Sequence, residues 1–256
     1  MSTGTSFCFM LQARVGSTRL PQKMVLPFFK DKTILELIIM KLQQNFPHVP
    51  IVLATSALEE NDILVEIAKG LDCMVFRGSE SDVLQRFIDA ADTCHFDQII
   101  RVCADNPFLD VSEMRNLIGF AENNPSFDYI SFSINGNPSI KTHFGFWAEY
   151  VTLQALKKVS LTTKEAFYHE HVTNYIYGHS NLFQIKLIAA NSILEGRSDI
   201  RMTLDTAVDF STLSEIYLKL TERYDDDFGI KEIISFLDEN GHYKRIMTNQ
   251  IVENTK

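Results

Sequence analysis

Short apolar runs alternate along this chain with longer segments whose apolar residues recur every three or four positions. "SFCFMLQAR" is apolar nearly throughout, as expected of a strand buried on both faces. "TILELIIMKLQQNF" has the helical period, and Thr33 and Glu36 stand at capping-box spacing at its start. "IVLATS" reads as a second strand, and a helix near Glu59 to Leu71 ends at Gly70. "CMVFRG" is a third strand. "SDVLQRFIDAADTC" is the helix after it, with Ser79 or Ser81 as its cap. "DQIIRVCAD" is a fourth strand, and Asp110 with Glu113 caps the next helix. "FDYISFS" is a strand, "WAEYVTLQALKKV" is helical, and Thr162 with Glu165 suggests another capped start. "LFQIKLIAA" and "IRMTLD" read as strands, and two helices close the chain. Strands separated by helices of roughly 10 to 15 residues predict βαβ units. The fold class is α/β, with a mainly parallel twisted sheet and helices on both faces. No repeat, linker or low-complexity segment divides the chain, so residues 1–256 are expected to form a single domain. The stretch from Asn135 to Phe144 interrupts the alternation. It predicts a small insertion near residues 130–150, over a sheet edge, where a substrate-specific element would sit.

Composition narrows the class. With 45% hydrophobic and 22% charged residues the chain has the balance of a globular protein. No apolar run approaches the roughly 20 residues that a membrane span needs. The N-terminus lacks a basic segment followed by a long apolar one, so a cytoplasmic protein is expected. The four cysteines Cys8, Cys73, Cys94 and Cys103 show no CxxC spacing, which predicts buried thiols rather than a zinc site or disulfides. A formal net charge of -9 argues against nucleic-acid binding.

Against that acidic background the opening is basic. No acidic residue precedes Asp31, and Arg14, Arg19, Lys23 and Lys30 fall in the interval. The segment "QARVGSTRLPQK" follows the first strand, and ligands of open parallel sheets bind beyond the carboxyl ends of the strands. Backbone N–H groups around Val15 to Thr18 suit phosphate oxygens. Arg14 and Arg19 can clamp phosphate bidentately, Lys23 adds a point charge, and Pro21 stiffens the turn. With one glycine the loop is neither GxGxxG nor Walker A. A solvated basic turn would show the same composition.

Asp105 and Asp205 each follow an apolar run, so both can face one crevice. Mg²⁺ takes few carboxylates and leaves its other positions to water and phosphate oxygens, which suits such a pair. Helix capping is the alternative for each, since "DNPFLD" and "DTAVDF" both look like helix starts.

The stretch "LQARVGSTRLPQKMVLP" resembles the N-terminal signature of the cytidylyltransferase family that includes spore coat polysaccharide biosynthesis proteins. More distantly, it is similar to the CMP-Kdo and CMP-sialic acid synthetases. "FRGSESDVLQRF", "RVCADNPFLD", "EHVTNYIY" and "RMTLDTAVDF" follow in the family's order, and together the segments span about residues 7 to 220. The resemblance implies a Rossmann-like fold of the nucleotide-diphospho-sugar transferase type and a Mg²⁺-dependent cytidylyltransferase. Such an enzyme joins CTP to an acidic sugar or phosphorylated metabolite for surface polysaccharide synthesis. Gln12, Ala13, Arg14, Gly16, Ser17, Arg19 and Lys23 would hold the nucleotide, with Ala54 and Thr55 near the base and Arg77 on base or phosphate. Asp105 and Asp205 would bind Mg²⁺, leaving Asp110 and Asp209 to cap and charge helix starts. Arg14, Lys23, Asp105 and Asp205 would carry the catalysis. His143, Gly145, Glu149, Glu170 and His171 would surround the acceptor, with Lys141 a further polar candidate. Trp147 would form a wall or pack in the core. His169 and His171 point apart on a helix, and Asp82 and Arg86, four apart, could pair on the surface. Two departures from the family pattern are Gln22 and Ala104, where relatives often carry glycine. Related enzymes are commonly dimers, which implies a homodimer. Two other readings stay open: a glycosyltransferase using a nucleotide sugar, though a DxD-like motif is missing, and a non-catalytic nucleotide-binding regulator.

Overall fold

In the computed structural model, which describes residues 7–17 and 19–254, the first strand β1 (Phe7–Gln12) runs through the middle of a mixed sheet. Phe9 and Leu11 enter one apolar core, and Cys8 and Met10 enter the core on the opposite face. Burial on both faces explains why this strand shows no polar alternation. A small hairpin of β2 (Pro27–Phe29) and β3 (Lys32–Thr33) leads into α1 (Ile34–Asn45). The predicted capping box starts that helix: the Glu36 N–H donates to Thr33 Oγ1 (3.2 Å) and the Thr33 N–H to the Glu36 carboxylate (2.7 Å).

Next come β4 (Ile51–Ser56), α2 (Asp62–Gly70), β5 (Met74–Gly78) and α3 (Val83–Cys94). Asp82, not Ser79 or Ser81, caps α3 by accepting from the Gln85 N–H at 2.8 Å. Then follow β6 (Gln98–Cys103), α4 (Val111–Asn123), β7 (Tyr129–Ile134) and the two-residue β8 (Asn137–Pro138). Asp110 caps α4 as expected (Glu113 N–H to Asp110 Oδ1, 2.9 Å). The segment expected to be helical from Trp147 divides instead into β9 (Glu149–Thr152) and α5 (Leu153–Thr162). Thr162 ends that helix rather than starting the next. Two short helices, α6 (Ala166–Glu170) and α7 (Asn174–Gly178), lead to β10 (Ile185–Ala189). Three helices, not two, close the chain: α8 (Ala207–Tyr224), α9 (Ile230–Glu239) and α10 (Gly241–Glu253).

The strand order is β10-β7-β9-β6-β1-β4-β5, with β8 beside the far end of β7. Within this sheet, among the described residues, only β9 and β8 run antiparallel to their neighbours. The site depends on where β9 begins. Glu149, its first residue, pairs with Arg101, so Val102 and Cys103 at the end of β6 have no β9 partner. The sheet therefore opens between the carboxyl ends of β6 and β7. The segment Asn135–Phe144 borders that opening instead of covering a sheet edge, since β10 is the edge strand on that side.

Residues Ile200 to Asp205, expected as a strand, form an extended segment outside the sheet. The Met202 N–H donates to the His143 carbonyl (2.8 Å) and the Leu204 N–H to that of Asp105 (2.9 Å). These bonds hold Asp205 beside the β6 exit without a ladder. Gly145 makes the approach feasible: its φ is +64°, and a Cβ there would lie 2.9 Å from the Met202 carbonyl oxygen.

Candidate active site

A cleft of about 930 Å³ occupies the opening at the carboxyl ends of β1 and β6. That size suits a nucleotide-sized ligand. The opening loop forms one wall through Gln12, Ala13, Arg14, Gly16, Ser17, Arg19 and Lys23. Thr18 lies outside the described residues. Gln22 adopts φ 60°, the left-handed backbone that glycine favours. An L residue bears roughly 1–2 kcal/mol in that conformation, so the turn is shaped at a cost. The buried Asn61 side chain fixes the loop's base by accepting from the Val15 N–H at 2.9 Å.

Three cations of this loop contact acidic or carbonyl groups that a nucleotide would compete with. Arg14 reaches Glu80 (3.2 Å) and Glu170 (3.4 Å). Arg19 reaches Asp205 Oδ1 at 2.8 Å and is half exposed. Lys23 donates to the Leu204 carbonyl at 2.7 Å and lies 3.7 Å from Asp105 Oδ2. Lys23 thus straddles the two aspartate segments, which the structure brings to one side of the cleft.

The two aspartates differ in environment. The Asp105 side chain is 37% exposed, with Lys23 as its ion-pair partner. Asp205 is buried, and its second oxygen accepts from Arg201 Nη2 at 2.9 Å. The fully buried Arg201 also donates to both oxygens of Asp209 (2.8 and 2.9 Å). Burial pushes the Asp209 carboxyl up, but Arg201 and the backbone N–H groups of Asp205 and Thr206 outweigh it and hold the group below its usual range. Asp209 therefore has the structural role expected of it, in a capping box with Thr206. No three or more His, Cys, Asp or Glu side chains converge into a metal cluster among the described residues. Two carboxylates within a ring of cations still suit Mg²⁺, which takes one or two protein ligands and completes its shell with phosphate oxygens and water.

The remaining expectations divide. Ala54, Thr55 and Arg77 do not line the cleft. Ala54 and Thr55 are buried in the sheet. Arg77 stands on the edge strand and turns away, pairing with Asp62 (2.6 Å) and the Leu58 carbonyl (2.9 Å). His143 also lies outside the cleft lining; its Nδ1 meets Arg201 Nη1 at 2.6 Å. Gly145 and His171 do line it, whereas Glu170 meets it only through Arg14. Glu149 reaches the floor, but Arg101, the Tyr129 hydroxyl and the Thr173 hydroxyl saturate its carboxylate. Its work is to hold Arg101, which in turn donates to Gln12 Oε1 at 2.9 Å. Trp147 is both core and wall, buried yet lining the cleft. His169 bonds Asp82 and the Thr163 carbonyl (2.8 and 3.0 Å) and is spent on structure. Asp82 therefore does not pair with Arg86.

Arg86 and Arg101 were not foreseen as site residues. The helical spacing of Arg86 from Asp82 mimics a surface pair, and Arg101 sits within an apolar strand. A polar floor also emerges from Asn106, Thr173 and Thr203, which no local motif announces.

The fold is an α/β sheet with a cleft at the carboxyl ends of its central strands, walled by the basic loop and the two aspartate segments. The sequence profile of the cytidylyltransferase family matches residues 8–237, and the chain belongs to that family. It is a nucleotidyltransferase, of a family that uses CTP. The chain is 32% identical over 237 residues to the spore coat polysaccharide biosynthesis protein SpsF of Bacillus subtilis, covering 91% of this chain and 94% of that protein. A cytidylyltransferase structure from Leptospira borgpetersenii superposes with a TM-score of 0.82 at 27% identity, covering 93% of this chain and 96% of the other. CMP-2-keto-3-deoxy-manno-octonic acid synthetase, solved with CTP, shares the fold at a TM-score of 0.61 and 13% identity, covering 84% of this chain and 99% of that one. Enzyme-family membership sets aside the non-catalytic regulator and the glycosyltransferase. No helix of the described residues is long and apolar enough to cross a membrane.

Proposed function

We propose that this cytidylyltransferase transfers CMP from CTP to an acidic sugar or a phosphorylated small metabolite, with Mg²⁺, for surface polysaccharide synthesis. The observation that carries this reading is the meeting of Arg14, Arg19 and Lys23 with Asp105 and Asp205 around one cleft. Arg14 and Arg19 exchange their carboxylate partners for the triphosphate, to which a guanidinium fork is matched. Release of Arg19 frees Asp205 Oδ1, and withdrawal of Lys23 toward phosphate frees Asp105 Oδ2. Those two oxygens would hold Mg²⁺, which supplies charge neutralisation at the phosphates.

An acceptor oxygen, either a phosphate oxygen or a sugar hydroxyl that gives its proton to solvent, then forms a bond to the α-phosphorus in line. The bond from that phosphorus to the bridging oxygen breaks, and pyrophosphate leaves with the electron pair. Positioning and fixed charge do the work, with no covalent enzyme intermediate. Arg101, Asn106, Thr203, Gly145 and His171 border the space left for the acceptor, which suits a polar molecule rather than an apolar one. Similarity to SpsF supports the polysaccharide assignment.

Phosphorus NMR of the enzyme with CTP, Mg²⁺ and a panel of acceptors tests this. A 2-keto sugar acid or a sugar phosphate should give pyrophosphate and a new CMP- or CDP-linked resonance in equal amounts. Pyrophosphate from no acceptor in either class, with CTP intact, would contradict the assignment.

A further inference from the structure

We propose that Glu80 and Arg86 form the base-reading edge of the nucleotide pocket and select cytosine over uracil. The inference rests on CTP being the nucleotide. Arg86 lines the cleft from the first turn of α3, yet it is only 1% exposed. A guanidinium offers five N–H donors. Here only Nη1 has a partner, the Ser79 carbonyl at 2.5 Å. Nε and Nη2 are buried with no hydrogen bond. Buried donors left unpaired are costly, and native proteins rarely leave a charged group in that state.

The acceptors that surround Arg86 do not satisfy it. Asp82 is committed to the Gln85 N–H and to His169 (both 2.8 Å). Glu80 gives one oxygen to Arg14 at 3.2 Å, and its other oxygen, Oε2, is buried without a partner. Burial lowers the Arg86 pKa, and the nearby Glu80 and Asp82 charges offset only part of that effect. The backbone is shaped to admit this side chain: a Cβ at Gly78 would stand 3.0 Å from Arg86 Cγ.

The segment therefore presents unsatisfied guanidinium donors on the cleft lining and, behind Arg14, a buried carboxylate oxygen of Glu80 that movement of Arg14 would uncover. Cytosine carries the complement on one edge: an amine that donates, next to a ring nitrogen and a carbonyl that accept. A carboxylate is a known match for the cytosine amine. Uracil puts a carbonyl where the amine would be, so Glu80 would face an acceptor and repel it. Arg14 couples the two halves of the pocket, since its movement to the triphosphate releases Glu80 from its ion pair.

Calorimetric titration of CTP, UTP and inorganic tripolyphosphate, each with Mg²⁺, tests the assignment on the parent, Glu80→Gln and Arg86→Lys. The parent should prefer CTP by at least about tenfold, and Glu80→Gln should erase about a factor of ten of that preference. Tripolyphosphate binding should not weaken in Glu80→Gln and should strengthen modestly, because Arg14 loses the carboxylate that competes with phosphate. Glu80 is partly exposed, so that variant carries the test even if Arg86→Lys fails to fold. A parent selective for CTP with an equally selective Glu80→Gln overturns the base-reading role. Equal losses on all three ligands also overturn it, assigning Glu80 to Arg14 and the phosphates. A parent that does not distinguish CTP from UTP removes the cytidylyl reading beneath the inference.

Discussion

Asp105→Asn lowers turnover by about a hundredfold to a thousandfold, the scale of losing one preorganised electrostatic group, and leaves the fold in place. Asp105 follows β6 with its side chain 37% exposed, and the ammonium of Lys23 stands 3.7 Å away. Its largely buried partner Lys23 keeps the Leu204 carbonyl as an acceptor, so the stability change should stay within about 1 kcal/mol. The asparagine is nearly the same size and lacks only the anionic oxygen. Initial rates of pyrophosphate release and a thermal melt of the same preparation check both halves. A rate equal to the parent's would remove Asp105 from the metal site. Asp205→Asn does not offer so clean a comparison. Its carboxylate also compensates the buried Arg201, so activity and stability should fall together.

Asp209→Ala should cost about 3–5 kcal/mol, the range for stranding one partner of a buried ion pair. Arg201 has no exposed side-chain surface and donates two hydrogen bonds to Asp209. The same carboxylate accepts from the Asp205 and Thr206 N–H groups, each at 3.0 Å, so the substitution also removes one half of the α8 capping box, leaving the Thr206 cap itself. Urea unfolding of parent and variant measures the difference. The pH dependence has a fixed sign. Because the folded pKa of Asp209 is depressed, its contribution is fully present above the unfolded value of about 3.9. It is lost as pH falls through the folded pKa. Parent and variant curves should converge in acid and separate as pH rises. A gap that stays constant with pH would show that the charge is not the cause.

How much of this was legible in the sequence depended on whether the cause was local. Thr33 with Glu36 and Asp110 with Glu113 bond within one helical turn, so their spacing alone predicted the caps. The basic loop and Asp105 were legible because each follows a strand whose end fixes its address. β9 was not. Four residues flow directly into α5, and pairing with β6 and β7 makes them a strand. Ile200 to Asp205 has the alternation and apolar content of a strand, but its bonds go to His143 and Asp105 rather than into a ladder. The segment Phe76 to Phe87 was placed correctly and its arginines were not. Arg77 turns away on β5, the edge strand, a fact of topology, while Arg86 lines the cleft and Asp82 pairs with His169 instead. The Gln12–Arg101–Glu149 floor is built from contacts 89 and 48 positions apart in sequence, and no spacing rule reports such contacts.

The central claim is that the basic loop and the aspartate pair together hold a metal-bound cytidine triphosphate. Calorimetric titration of the four nucleoside triphosphates, each with and without Mg²⁺, tests it most directly. The account predicts that CTP binds selectively and that Mg²⁺ strengthens its binding. Binding of CTP with no response to Mg²⁺, or no preference among the four, would contradict it.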